Sequence, residues 1–232
     1  MFKKAFAIFL GCVIMTQMVF PASAVIPGED AVAADIHLVD DPDFLAAAEI
    51  TEMDNGIKLT RVEKNEANED EPRYRSDVVQ IFTENDIARR NLMNRLEMKP
   101  TGSSASDLVY DNMATVAIQF TIHYDLVEDG VIDQVELWSV SGYVDVLSNQ
   151  VQCTAHDLEM RIKTATSGGT DTWLIALSNL KFEGWHYTFY DDDISVPNII
   201  GSKFVGYYTV TVERGQYSEW DVTVSNTVSM PI

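Results

Sequence analysis

The sequence predicts a mainly β protein: an antiparallel β-sandwich or open barrel over residues 107–232, with two short helices and one or two strands in the N-terminal third. Three observations predict it. From Val116 to Leu126 every second residue is large and apolar, while Ala117, Gln119, Thr121, His123 and Asp125 fill the other face, the period-two signature of a half-buried strand. Further alternating runs follow at short intervals, separated by turn signals such as Asp129-Gly130, Ser148-Asn149, Gly168-Gly169 and Arg214-Gly215. The third observation is composition: with 46% hydrophobic and 10% aromatic residues the chain has enough apolar matter to build a packed core.

The chain opens with Lys3 and Lys4, an apolar run from Ala5 to Phe20, and then Ala22-Ser23-Ala24. This three-part pattern is that of a secretory signal peptide cleaved near Ala24, and the apolar run is too short for a membrane-spanning helix. The expected mature protein is secreted or extracellular, with no membrane anchor. Cys12 leaves with the leader, so Cys153 is the only cysteine remaining and no internal disulfide is available. In the run Val151–Ala155 that thiol shares a strand face with Val151 and Ala155, as a small buried hydrophobe would.

Residues 25–106 form an acidic segment, either a unit of its own or packed on the sheet. Asp41 before Pro42, the alanines 46–48 and Gly56 past the end predict a helix over Asp41–Met53. Gly56–Glu63 alternates and reads as a strand; Asn65–Pro72 has nothing to bury and reads as a loop. Thr83-Glu84-Asn85-Asp86 resembles a capping box, and Ala88, Leu92 and Leu96 at intervals of four give a second helix stopped by Pro100. The small polar run Thr101–Ser106 reads as a linker or surface loop. Beyond Leu126, strands are expected over 131–147 with a break near Gly142, then over 150–165, 173–180, 185–190, 204–213 and 220–228.

The formal charge is −20, and loss of Lys3 and Lys4 leaves 14 basic against 36 acidic residues, or −22. So acidic a surface repels phosphate backbones and anionic lipid, which excludes nucleic acid and peripheral membrane binding as main roles. No G-x-S-x-G elbow, H-E-x-x-H helix or glycine-rich phosphate loop is present. Cys153 and His156, three apart, point to opposite faces of a regular strand and meet only if the strand breaks between them.

Two carboxylate groupings suggest calcium as a cofactor, against an expectation of none. Asp125–Glu136 places acids at loop positions 1, 5, 9 and 12 with glycine at 6, yet its flanks alternate and Asp129-Gly130 is a favoured hairpin turn. Asp191-Asp192-Asp193 is equally an ordinary solvated turn. Neither is assigned as a metal site. The candidate ligand-binding residues are aromatic: Trp185, Tyr187 and Tyr190 in the densest aromatic segment, and Trp138, whose rings would stack on sugars if exposed or fill the core if not.

The function these features favour is a secreted, non-catalytic β-sandwich module binding an extracellular glycan or protein. A structural or assembly component of the cell exterior is the alternative, and a hydrolase with a site assembled from distant residues is a third class.

Overall fold

A computed structural model describes residues 38, 41–65, 72–83, 85–98, 114–128, 130–148, 150–165, 171–180, 184–189, 194–215 and 218–232. The expected leader, Tyr190 and Asp191–Asp193 lie outside the described residues. Among the described residues two helices and eleven strands follow one another: α1 (Pro42–Ala47), β1 (Glu49–Met53), β2 (Gly56–Lys64), β3 (Tyr74–Thr83), α2 (Asp86–Met98), β4 (Ala114–Val127), β5 (Gln134–Val146), β6 (Gln152–Lys163), β7 (Asp171–Leu177), β8 (Trp185–Thr188), β9 (Ser195–Pro197), β10 (Lys203–Arg214) and β11 (Ser218–Ser229).

All pairings are antiparallel. One sheet has seven strands in the order β1-β2-β3-β4-β5-β8, with β9 also on β5; the other has four, β11-β10-β6-β7. The sheets pack face to face as a β-sandwich. The core between them draws Phe120 and Ile122 from β4, Val140 from β5, Met160 from β6, Trp185 from β8, Tyr208 and Val210 from β10, and Val224 from β11. Each large side chain taken out of water here contributes roughly 1.5–3 kcal/mol, and with Cys153 free this burial is what holds the fold.

A second core lies on the other side of the seven-stranded sheet. Leu38, Phe44 and Leu45 around α1, and Leu92 and Leu96 of α2, cover Ile57, Leu59, Val79, Ile81 and Ala117. Where these residues meet it, that sheet buries apolar side chains on both faces. Asp41 caps α1 by accepting from the Asp43 amide at 2.9 Å, with proline in the first turn.

The helix expected over Asp41–Met53 stops at Ala47, and Ala48 is already extended. The alanine run favours helix, but Glu49–Met53 gains a ladder of hydrogen bonds to β2 and lets Ile50 pack on the second core. The N-terminal third thus supplies three strands. β3 pairs β4 from Tyr74 to Thr83, so residues on both sides of the expected boundary at 106/107 build one sheet. β5 runs without a break through Gly142, because the missing side chain there makes room for the Trp185 indole.

Candidate functional site

The two sheets differ in width, and that difference makes a concave feature between them. β11, the edge of the smaller sheet, lies over β3 and β4. β2 and β1 continue past it as an overhang two strands wide, roughly 10 Å at the usual spacing. Period-two alternation points Lys58, Thr60 and Val62 of β2, and Glu49, Thr51 and Met53 of β1, toward the space beside β11. This groove encloses about 300 Å³, floored by Lys58, Thr60 and Val62 and walled by Ser76, Asn226 and Thr227. A second, more open depression of about 620 Å³ shares Glu49, Thr60, Arg61 and Val62 and continues to Asp43, Glu63 and Lys64. Val62, at the junction, is 68% exposed.

The wall of the groove is fixed by buried polar bonds. Asn226 donates to the Ser76 carbonyl at 2.8 Å and to the Phe120 carbonyl at 3.1 Å, while its own oxygen accepts from the Ser76 hydroxyl at 2.8 Å. One amide thereby ties the edge strand to β3 and β4. Across the groove, the Lys58 ammonium donates to the Ser225 carbonyl at 2.8 Å. Burial lowers the pKa of Lys58 from its ordinary value.

On the outer face of the wider sheet, Arg61, Asp77, Thr121, Ser141 and His186 are successive cross-strand partners on β2, β3, β4, β5 and β8. Asp77, 0% exposed, accepts from Arg61 at 3.0 Å, Arg75 at 2.7 Å and Thr121 at 2.8 Å. The row holds serine, histidine and aspartate, but not as a nucleophilic triad. Among the described residues the buried Ser141 hydroxyl has no hydrogen-bond partner, His186 Nε2 pairs with Thr188 at 3.1 Å, and Asp77 is held by arginines. A serine nucleophile needs its base within hydrogen-bond reach.

Between the sheets, β6 carries a bulge where Thr211 pairs Ala155 and Val212 pairs Cys153. The extra residue turns Cys153 and His156, expected on opposite faces of a regular strand, both toward the core. His156 Nδ1 lies 2.6 Å from the Tyr208 hydroxyl. Burial pushes the Cys153 thiol up to about 11 and the Tyr208 phenol above its ordinary value, and it lowers His156, opposed by the nearby Asp157. A thiol so shifted is a poor nucleophile at neutral pH.

Of the aromatic candidates, Trp185 is 8% exposed, its ring 5.1 Å from Tyr208 and edge-on to it. Tyr187 is half-buried and packs edge-on to Phe189 at 5.0 Å. Trp138 is half-buried at a bulge of β5, where its carbonyl accepts from the Phe189 amide at 2.9 Å. The structure brings Trp185 and Tyr187 to the inner face of β8, and neither they nor Trp138 line the groove. The stretch Asp125–Glu136 is a β4–β5 hairpin, and Asp125 accepts from Arg73 at 2.6 Å. Among the described residues no three His, Cys, Asp or Glu side chains converge as a metal site. The groove residues Lys58, Thr60 and Val62 read in sequence only as an alternating strand; their role depends on Ser225 and Asn226, more than 150 positions away. Comparison with protein-family models, with curated proteins and with solved structures finds no match.

Proposed function

We propose that the protein is a secreted, non-catalytic β-sandwich module, its leader removed near Ala24, that binds an extracellular ligand in the groove between β11 and the β1–β2 overhang. The observation that carries this reading is the groove itself: an open, mostly polar channel with an exposed aliphatic side chain, Val62, at its mouth. An aliphatic group held out of the core in a polar setting gains free energy when a partner covers it. The described residues that line the groove include no aromatic ring for a sugar to stack on, which favours a polypeptide ligand over a glycan.

The test uses the mature protein on a glycan array and as bait for a displayed library of random nonapeptides. Val62→Asp disables the groove, and Val131→Asp, at the 98% exposed tip of the β4–β5 turn and outside the groove, is the control. Selected peptides are expected to bind the wild type and the control equally and Val62→Asp at least ten-fold more weakly, about 1.4 kcal/mol. A glycan retained with the same affinity by all three proteins, or a library that yields no binder, refutes the reading.

A further inference from the structure

We infer that the groove takes its ligand as an added β-strand: a single extended segment of a partner polypeptide pairs antiparallel with the free edge of β11 and places an acidic side chain against Lys58. The inference rests on the ligand-binding reading above and specifies its geometry. Among the described residues β11 ends the four-stranded sheet, and the Ser225 carbonyl points away from β10, because it accepts from Lys58 across the groove. In an antiparallel strand alternate residues present both backbone groups to the same side. Thr223 and Thr227 therefore point their N–H and C=O groups into the groove with Ser225, and their side chains, on the outer face, leave the inner side clear. Backbone groups supply the attraction in strand addition, and alternate side-chain pockets supply selectivity.

The overhang decides the occupant. Pairing β11 of a second copy about a two-fold axis would drive both overhangs into one space, whereas one added strand, about 4.8 Å wide, fits over β2. Among the described residues both sheets pair antiparallel throughout. Once an incoming amide donates to the Ser225 carbonyl, the Lys58 ammonium loses that acceptor under a new layer of protein. A buried charge without a partner is costly, and a carboxylate on the inward face of the segment restores the pairing. The inward position on one side of the acid meets Met53, and that on the other meets Thr60, whose methyl group, with Val62 next beyond it, favours an aliphatic side chain. The segment thus alternates apolar, acidic and apolar residues on its inner face.

A lysine over a sheet edge also serves to discourage strand pairing. The two roles predict opposite signs for Lys58→Met, which keeps the aliphatic stem and removes the charge.

The probe is the peptide Lys-Thr-Val-Thr-Glu-Thr-Val-Thr-Lys, titrated calorimetrically into the mature protein. Saturable binding is expected, weakened about ten-fold when its glutamate becomes glutamine and by a like factor in Lys58→Met, where the two peptides bind equally, as for loss of one charge-assisted contact. Methylating the threonine amides, which face β11, abolishes binding, while methylating the valine amides leaves it within two-fold. Hydrogen exchange at the Thr223 and Thr227 amides slows at least ten-fold in the complex. Absence of saturable binding, tighter binding to Lys58→Met, or indifference to which amides are methylated overturns strand addition. Binding that Val62→Asp abolishes but amide methylation does not affect overturns strand addition alone and leaves the groove as a ligand site.

Discussion

His156 sits in the sandwich core with Nδ1 2.6 Å from the Tyr208 hydroxyl, and its ring and that of Tyr208 are 5.8 Å apart. In the neutral tautomer protonated at Nε2, the hydroxyl donates to Nδ1. Burial disfavours the imidazolium, so the folded-state pKa lies below the ordinary 6.5 of the unfolded chain. As pH falls through 6.5 the unfolded chain binds a proton that the folded one does not, and stability declines until the folded pKa is reached. The contribution is complete above pH 6.5 and lost below it. Urea midpoints measured between pH 7.5 and 5 are expected to fall on the acid side, and His156→Phe, though less stable throughout, should lose that component of the slope. Parallel curves for the two proteins would remove His156 as the cause. Asp77 makes the complementary point: a carboxylate with no exposure persists in this fold because two guanidiniums and a hydroxyl take its place in water.

At the scale of the element, the clearest dependence is that of β5 on β8. A Cβ at Gly142 would lie 2.6 Å from the Trp185 indole, closer than any real contact, and Trp185 is Gly142's own cross-strand partner. Gly142→Ala is expected to cost about 1–3 kcal/mol by overpacking. In Trp185→Leu, which opens the space, the same change should cost less than 1 kcal/mol. A double-mutant cycle by chemical denaturation reads the coupling, and additive effects would refute the contact. The same pair shows why a break near Gly142 is a natural sequence expectation: the glycine marks a close approach, and its cause lies on a strand more than 40 positions away. β3 was hidden for a different reason. Val78 and Phe82 face one core and Val79 and Ile81 the other, so burial on both sides erases the alternation that made β4 legible. β9, only three residues long, is too short to carry any period. By contrast β4, β6, β10 and β11 stand where their patterns place them, because one face of each alternates into the core. The groove was illegible altogether, since no local pattern records that β11 stops short of β2.

For the whole molecule, the acidic N-terminal segment and the strand-rich remainder share cores on both sides of one sheet. Residues 107–232 produced alone would expose the β4 edge that pairs with β3, and would lose Asn226's bonds to Ser76. This fragment is expected to lack cooperative unfolding and a dispersed amide spectrum, and a sharp thermal transition from it would show that the sandwich stands without β1–β3. The fold class was readable from periodicity and turn signals; the pairing of β3 with β4 was not, because the small polar run Thr101–Ser106 separates in sequence two strands that only tertiary pairing joins.

The strand order carries a consequence for how the chain is made. β1 to β5 pair each with the next, so this meander closes from local contacts as soon as it has been synthesised. The opposing sheet waits: β6 and β7 meet early, but β10 and β11 arrive last, after the chain has returned to the first sheet to lay down β8 and β9. Until β10 is available, Phe120 lacks Tyr208, whose ring lies 6.2 Å away in the finished core. A first sheet that orders before its cover arrives would leave apolar surface open to self-association, so the order of synthesis sets when the growing chain is most prone to aggregate.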